Sequence, residues 1–195
     1  LNMPFNFLST NIPGLMLIEP HVFLDERGCY KKYYEKDVFA EHGITGMFTE
    51  SSEILSHKGV IRGLHYQLSF PQAKLLHVIT GAIFDVALDL RPDSPTFGKW
   101  EAFYLSSNDP KLLYIPEGFA HGFLTLTDGT LFSYQCTGKY DPAAASGIVW
   151  DDPTLKIPWP ISKVGKVIVS DKDRDLPTFA EFKQQLGQRE KLPNN

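Results

Sequence analysis

The chain has 195 residues, of which 43% are apolar and 13% aromatic, and its 19 basic and 23 acidic residues give a net charge of −4. A chain of this length is typical of one domain, and it buries enough surface to fold without disulfides. The near balance of charge argues against a nucleic-acid partner, which favours a basic excess. An anionic small ligand stays possible, because it requires only a few local cations.

The two cysteines indicate the compartment. Cys29 and Cys136 are too few for a disulfide framework and are typical of a protein in a reducing environment. We find no signal peptide and no apolar stretch long enough to span a bilayer. The sequence therefore predicts a cytoplasmic protein without a membrane partner.

The predicted elements are mostly short strands. Fifteen glycines and fourteen prolines separate runs of β-branched and aromatic residues, a spacing typical of an all-β sandwich or barrel. A short helix over 38–42, capped by Asp37, comes first. Seven strands follow, and a capping box formed by Thr178 and Glu181 opens a C-terminal helix over about 178–187. The strands are predicted over 59–67, 73–80, 82–90, 97–105, 112–115, 119–126 and 130–137.

The strand 82–90 shows the clearest alternation. Even-numbered apolar residues from Phe84 to Leu90 share one face. The other face carries Ile83, Asp85, Ala87 and Asp89. The turn that follows the strand is rich in Pro, Asp and Ser.

Arg62 and His65 are unusual in an otherwise apolar strand, because buried charges are costly unless they are paired. Strict alternation places these two residues on opposite faces. A bulge at Gly63 would bring them to one side. Without such a bulge, the simpler interpretation is an Arg at the rim and a His in the core.

The segment 115–123, IPEGFAHGF, places His121 on a strand directly after a Pro-Gly turn. The spacing is similar to the second motif of cupins, which are small β-barrels that often hold a metal. The earlier strand offers only His65 in the run His65-Tyr66-Gln67, and a catalytic metal site usually has three protein ligands. We therefore predict no metal and no cofactor. Lys74, Tyr134, Asp171 and Asp173 carry no signal on their own.

Five sequence blocks stand in order along the chain: 25–28 (DERG), 60–67 (VIRGLHYQ), 94–98 (SPTFG), 115–123 (IPEGFAHGF) and 150–152 (WDD). Together they resemble the dTDP-4-dehydrorhamnose 3,5-epimerase family, cupin-type epimerases of nucleotide-linked 4-keto-6-deoxy sugars. The resemblance covers about residues 12–177, the core of a single domain over 1–195. It implies an all-β, cupin-like jelly roll with a few short peripheral helices, and a metal-independent isomerase.

The resemblance also implies the catalytic roles. His65 would be the base that removes protons beside the C4 ketone, and Asp173, in the run Ser170-Asp171-Lys172-Asp173, would orient it. Tyr134 would donate a proton on the opposite face, and Lys74 would stabilise the enolate oxygen. The role of Asp171 stays open.

The resemblance also implies which residues bind the substrate. Arg62 and His121 would hold the diphosphate and the sugar. Phe23 and Arg27 would reach the nucleotide across a homodimer with swapped N-terminal strands. We add the aromatic residues Tyr30, Tyr33 and Tyr34 as the kind of cluster that is enriched at interfaces.

Three positions depart from the family pattern near the substrate. Lys32 stands where the family usually has an acidic residue, the run Glu50-Ser51-Ser52 replaces Gln-x-Asn, and Lys139-Tyr140 replaces two tyrosines. Sequence drift is one explanation, and a different nucleotide or sugar is the other. The reaction that the resemblance implies first is the conversion of dTDP-4-dehydro-6-deoxy-D-glucose to dTDP-4-dehydro-L-rhamnose. The alternatives are inversion of one centre, a CDP- or GDP-linked sugar, and a sugar-binding protein without turnover.

Overall fold

The computed structural model describes residues 4–189, and the other residues lie outside the description. It contains thirteen strands, three α-helices and one short 3-10 turn (Ile161–Lys163). The strands are β1 (Phe5–Ser9), β2 (Met16–Pro20), β3 (Val22–Asp25), β4 (Gly28–Lys31), β5 (Phe48–Ser56), β6 (Ile61–Gln67), β7 (Lys74–Thr80), β8 (Ala82–Asp89), β9 (Trp100–Ser106), β10 (Leu112–Ile115), β11 (Phe119–Thr125), β12 (Thr130–Thr137) and β13 (Ala145–Gly147). The α-helices are α1 (Lys36–Glu41), α2 (Asp171–Arg174) and α3 (Phe179–Arg189).

Two antiparallel sheets face each other. The six-stranded sheet has the order β1-β2-β10-β7-β12-β5, and the five-stranded sheet has the order β13-β6-β11-β8-β9. The hairpin β3–β4 forms a separate two-stranded sheet. None of the helices within residues 4–189 is long and apolar enough to cross a bilayer.

Three apolar clusters hold these layers together. The central cluster lies between the sheets and joins Leu76 and Phe132 of the six-stranded sheet to Ile83 and Phe123 of the five-stranded one. A second cluster packs the outer face of the five-stranded sheet against the C-terminal segment from Ile148 to Phe182. The third packs α1 on the outer face of the six-stranded sheet. The outer faces of both sheets are therefore covered.

The structure confirms the all-β prediction and the seven predicted strands, which correspond to β6 through β12. The alternation in β8 is also confirmed, because Phe84 and Val86 pack on the C-terminal segment while Ile83 and Ala87 enter the central cluster. The five N-terminal strands and β13 were not predicted. The longest of them, β5, is largely polar, and the others have only three to five residues, too few to show a clear alternation.

Of the two predicted helix caps, the first is wrong and the second is confirmed. The predicted cap Asp37 is wrong: helix α1 begins at Lys36, its N-cap is Glu35 without a side-chain hydrogen bond, and Asp37 lies inside the first turn. The capping box at the C-terminal helix is confirmed. The Glu181 carboxylate accepts a hydrogen bond from the Thr178 N–H at 2.7 Å, and the Glu181 N–H donates to the Thr178 hydroxyl at 3.3 Å.

A bulge interrupts the pairing of β6 with β11. His65 lies opposite His121 and Arg62 lies opposite Phe123, so that two residues of β6 face Gly122 alone. Gly63 has a φ of +104°, and a Cβ at this position would lie 2.5 Å from the His121 carbonyl oxygen. Only glycine fits both requirements. The bulge that the sequence left open is therefore present, and it turns Arg62 and His65 to the same side of the sheet.

The turn after β8 is fixed by the buried carboxylate of Asp89. Arg91 donates to it through Nε at 2.9 Å, and the hydroxyls of Ser94 and Thr96 donate at 2.5 and 2.6 Å. These bonds hold the Arg91 guanidinium 4.7 Å from the centre of the Phe119 ring, at the start of β11. Because β11 carries His121, this turn also anchors the cavity described below.

The Asp89 contacts predict a pH-dependent contribution to stability. Burial alone would raise the pKa of Asp89, but the Arg91, Ser94 and Thr96 hydrogen bonds lower it to about 2 from an ordinary 3.8. A depressed folded-state pKa stabilises the fold above about pH 4, and that stabilisation is lost as the pH falls toward 2. Asp89→Asn should lower the free energy of unfolding at pH 7 by about 2–3 kcal/mol.

Urea unfolding of both proteins at pH 7 and at pH 3 measures this effect. The difference between wild type and Asp89→Asn should shrink at pH 3. Asp93→Asn changes an exposed carboxylate of the same turn and is the matched control. A loss of stability that is equal at both pH values would contradict the role given to the Asp89 charge.

Candidate active site

A cavity of about 610 Å³ opens between the two sheets. Eight of the residues predicted from the sequence as site residues line it, together with apolar side chains such as Phe123 and Phe132. Asp173 lies behind one of these eight. The eight are Glu50, Ser52, Arg62, His65, Lys74, His121, Tyr134 and Tyr140.

Strand alternation explains how these side chains come together. Every second residue of a strand points toward the opposite sheet. In β7, Lys74 shares its face with Leu76, and in β12, Tyr134 shares its face with Phe132. The same strands therefore supply the apolar core at one end and the polar cavity wall at the other.

His65 and Asp173 form a hydrogen-bonded pair at the cavity wall. His65 Nε2 lies 2.7 Å from Asp173 Oδ1, and the other carboxylate oxygen accepts the Gly63 N–H at 3.1 Å. The bulge that exposes His65 to the cavity thus also presents a backbone donor to its partner. With Nε2 bonded to the carboxylate, Nδ1 is the ring nitrogen left for a ligand.

The environment of Asp173 keeps its carboxyl ionised. Helix α2 is capped by Ser170, whose hydroxyl accepts the Asp173 N–H at 3.1 Å, and the Asp173 side chain is 6% exposed. Burial favours the neutral acid, but the hydrogen bonds from His65 and Gly63 outweigh it and lower the pKa of Asp173. A carboxylate at this place stabilises a proton on the imidazole.

Tyr134 lies on the wall opposite His65. It belongs to β12 of the six-stranded sheet, whereas His65 belongs to β6 of the five-stranded sheet. Burial raises the pKa of Tyr134, and a contact with the Ser52 hydroxyl opposes that shift only in part. The phenol therefore stays protonated near neutral pH. An imidazole and a protonated phenol thus line opposite walls of the cavity.

Lys74 brings a positive charge into the same space. It stands at the start of β7, directly opposite Cys136 of β12, and both line the cavity. Burial lowers the pKa of Lys74, while Cys136 and Asp85 act in the other direction. A cation in such a shielded place acts strongly on any negative charge that develops beside it.

Arg62, Glu50 and Tyr140 line the outer part of the cavity. The Arg62 side chain is exposed, with a weak 3.5 Å contact to the Ser56 hydroxyl. The Glu50 carboxylate accepts the Tyr140 N–H at 2.9 Å, which ties the loop after β12 to β5. These groups are placed to meet the part of a ligand that extends toward solvent.

Four predicted binding residues lie outside the cavity of this protomer. Phe23 and Arg27 belong to the hairpin β3–β4, where Phe23 is half exposed and Arg27 pairs with Asp25. Lys32, just after the hairpin, makes a 2.8 Å ion pair with Glu35. Lys139 is exposed beside Tyr140, and its carbonyl oxygen accepts a hydrogen bond from Gln67.

The cavity also contains residues that the sequence did not single out. Gln72, Cys136 and Lys172 line it, and the buried Asp85 carboxylate bonds to His121. Cys136 and Lys172 could have been found, because one lies two positions after Tyr134 on the same face and the other precedes Asp173. Asp85 had a weaker signal, as an acidic residue on the inner face of an apolar strand.

The prediction of no metal stays a prediction. In the part of the chain that the structure describes, no three His, Cys, Asp or Glu side chains are grouped to hold a metal ion. His65 and His121 lie side by side, but the Nε2 atom of each bonds to a carboxylate.

Comparisons with known proteins place this geometry in a family. The family model for dTDP-4-dehydrorhamnose 3,5-epimerase matches residues 9–181. The enzyme of that name from Methanothermobacter thermautotrophicus is 46% identical over 177 residues, 91% of this chain and 96% of that protein.

Two solved structures show the same fold. The dTDP-4-dehydrorhamnose 3,5-epimerase from Bacillus anthracis, with TDP and PPi bound, is 42% identical at a TM-score of 0.85, covering 90% of this chain and 99% of that one. The dTDP-6-deoxy-D-glucose-3,5-epimerase from Legionella pneumophila, in complex with dTDP-4-keto-L-rhamnose, is 39% identical at a TM-score of 0.88, with coverages of 93% and 96%. The predicted cupin-like jelly roll is thereby confirmed. The chain belongs to the dTDP-4-dehydrorhamnose 3,5-epimerase family.

Proposed function

We propose that the cavity inverts C3 and C5 of dTDP-4-dehydro-6-deoxy-D-glucose, giving dTDP-4-dehydro-L-rhamnose. The observation that carries this proposal is the placement of the His65–Asp173 pair and the Tyr134 phenol on opposite walls, with Lys74 in the same cavity. Inversion requires removal of a proton from one face of a carbon and its return on the other. A binding protein has no need for this arrangement.

The C4 ketone makes the chemistry accessible. Hydrogens on C3 and C5 are acidic because the carbanion left behind delocalises onto the ketone oxygen as an enolate. His65 Nδ1 takes the proton as a neutral imidazole, and Asp173 stabilises the imidazolium that forms. Tyr134 then donates its phenol proton to the opposite face of the same carbon. Each inversion leaves an imidazolium and a phenolate, so His65 loses a proton to solvent and Tyr134 regains one before the second centre reacts.

Lys74 stabilises the enolate. Its ammonium acts on the negative oxygen from a partly buried position on the cavity wall, so the interaction is stronger than it would be in water. Because the ammonium is in place before the reaction, little reorganisation is needed when the charge develops. This mechanism uses residues of the chain alone, and we expect the reaction to need no metal.

The remaining cavity residues hold the substrate. Arg62 is suited to the diphosphate because its guanidinium donates two parallel hydrogen bonds to phosphate oxygens. Glu50, Ser52 and Tyr140 surround the sugar and ribose in this proposal. His121 contacts the sugar from the wall beside His65.

A partner subunit completes the site. The hairpin β3–β4 is a separate two-stranded sheet with exposed Phe23, Leu24 and Tyr30. We propose a homodimer in which this hairpin brings Phe23, Arg27 and Lys32 to the nucleotide in the other protomer, near its Lys139.

Of the three tyrosines that the sequence analysis offered as an interface cluster, only one supports the dimer. Tyr33 stacks on His77 at 3.8 Å between ring centres, and Tyr34 packs edge-on against Phe39 and Phe48 within the same protomer. Tyr30 alone of the three is largely exposed. The exposed face of the hairpin is therefore the stronger argument for a partner.

We also propose a cytoplasmic location. Both cysteines are free, Cys29 at the surface and Cys136 buried in the cavity wall. Free thiols persist best in a reducing compartment.

Replacement of His65 tests the base. His65→Ala should lower the rate of deuterium incorporation at C3 and C5 in D₂O by about 10²–10⁴-fold, the usual contribution of a general base. The measurement is NMR of dTDP-linked 4-keto-6-deoxyglucose in a buffer containing EDTA, with the CDP-linked sugar in parallel. His57→Ala, which removes an exposed histidine, is the control.

A different result of this assay would contradict each part of the proposal. Near-full exchange in His65→Ala would contradict the assignment of the base. Wild-type activity that disappears in EDTA and returns with a divalent ion would contradict metal independence. Exchange at one centre only, or faster exchange in the CDP-linked sugar, would support the corresponding alternative substrate or reaction.

Tyr134→Phe should separate exchange from inversion. The variant keeps the ring but loses the proton donor, so deuterium exchange should persist while inverted product falls by about 10²-fold. Chromatographic product analysis and NMR exchange are measured on the same samples. Tyr104→Phe, on the outer strand β9, is the control. Equal and complete loss of both signals would mean that Tyr134 mainly shapes the cavity.

Mixed dimers test the shared site. Phe23→Ala/Arg27→Ala and His65→Ala homodimers should each be nearly inactive, and after subunit exchange the mixture should recover about a quarter of wild-type activity, because half of the dimers are mixed and each has one intact site. His65→Ala mixed with Lys74→Ala should recover none, since both defects lie in the same barrel. A fully active monomer in solution would contradict the dimer.

A further inference from the structure

His121 and Asp85 form a second histidine–carboxylate pair beside the first. His121 Nε2 lies 2.8 Å from Asp85 Oδ2, and the Asp85 side chain is fully buried. His121 and His65 are direct partners in the β11–β6 ladder, so two imidazoles stand side by side, each bonded through Nε2 to its own carboxylate. The reaction described above gives Asp85 no role.

The charge of Asp85 needs a counter-charge. Its Oδ1 is buried and has no hydrogen-bond partner within residues 4–189, and a buried carboxylate is costly unless a cation faces it. The groups that act on it are His121 on β11 and Lys74 on β7. A negative charge on Asp85 favours the protonated form of each of these two groups.

The surroundings of His121 oppose a positive charge on its imidazole. Burial lowers the pKa of His121 below its ordinary value, and the neighbouring Lys74 and His65 lower it further, although Asp85 acts in the opposite direction. The imidazole is therefore neutral near pH 7. For Lys74, burial lowers the pKa as well, but Asp85 and Cys136 both act to keep the ammonium protonated.

We propose that Asp85 is a positioning residue of the epimerisation, which fixes His121 in the tautomer protonated on Nε2 and supplies a negative charge that favours the ammonium form of Lys74. The inference rests on the proposed function of Lys74 as the group that stabilises the enolate. The His121–Asp85 pair thus has a positioning role, whereas the His65–Asp173 pair moves a proton.

The tautomer decides what His121 binds. With the proton on Nε2, Nδ1 carries a lone pair and accepts a hydrogen bond. An acceptor suits a sugar hydroxyl and is repelled by a diphosphate oxygen. His121 is thus assigned to a hydroxyl of the hexose, and the diphosphate is left to Arg62 on the neighbouring strand.

The tautomer can be measured without substrate. ¹⁵N NMR of the histidine side chains near pH 7 should show His121 neutral and protonated on Nε2 in the wild-type protein. In Asp85→Asn the amide can donate to Nε2, so the proton should move to Nδ1, while the His65 signals keep their form. A wild-type His121 that is cationic or protonated on Nδ1 would overturn the proposal, even if the variant does not fold.

Thr125→Val is the matched control for a change in the buried core. Thr125 is fully buried on β11, opposite Ile83 of β8, and its hydroxyl has no partner among the described residues. This substitution perturbs packing between the same two strands without touching the Asp85 charge. It should leave the His121 tautomer unchanged.

Kinetics test the effect on Lys74. Asp85→Asn should lower kcat by about 10- to 100-fold, the range typical of losing the partner that orients an imidazole. The alkaline limb of the kcat–pH profile should move to lower pH by about 1–3 units, because Lys74 loses the carboxylate that faces it and keeps Cys136 and His121 as its other neighbours. Thr125→Val should not move this limb.

The two readouts separate failure of this inference from failure of the proposed function. A wild-type protein that epimerises neither substrate refutes the function, while the NMR result still decides the role of Asp85 toward His121. An active wild type whose alkaline limb and His121 tautomer are unaffected by Asp85→Asn overturns the inference alone.

Discussion

The bulge at Gly63 is the constraint on which the candidate site depends. Without the extra residue, the period of two in a strand would turn Arg62 and His65 to opposite faces of β6, and one of them would enter the cluster beneath the C-terminal segment. The same distortion presents the Gly63 N–H to Asp173, so the bulge also fixes the carboxylate that holds His65. A single irregularity in one strand thus selects which residues face the cavity and secures their orientation.

The architecture follows from the alternation in the central strands. Strands β6 to β12 are apolar on at least one face, and their limits could be predicted within a few residues. The N-terminal strands could not, because they are short and partly polar, and their stability comes from pairing with β10 and from packing on α1. Local pattern therefore predicts the interior of the sandwich well and its edges poorly.

The members of the candidate site were predicted more completely than their interactions. Residue types and family resemblance point to His65, Lys74, Tyr134 and Asp173, but the His65–Asp173 bond joins positions 108 residues apart. No local pattern encodes such a distance. Asp85 shows the same limitation, since a single acidic residue on the inner face of a strand gains meaning only when His121 is placed beside it.

The departure from the family pattern at Lys32, just after the hairpin β3–β4, can be explained physically. Lys32 is partly exposed and pairs with Glu35 of its own protomer, which raises the pKa of the ammonium. An exposed ion pair of this kind contributes little stability, so Lys32 can leave it to meet a nucleotide at small cost. For the same reason, an exposed ammonium gains little when it reaches a base, because water remains a competitive partner. If Lys32 reaches a nucleotide base, as the proposed dimer requires, an exposed contact of this kind discriminates only weakly between thymine and cytosine.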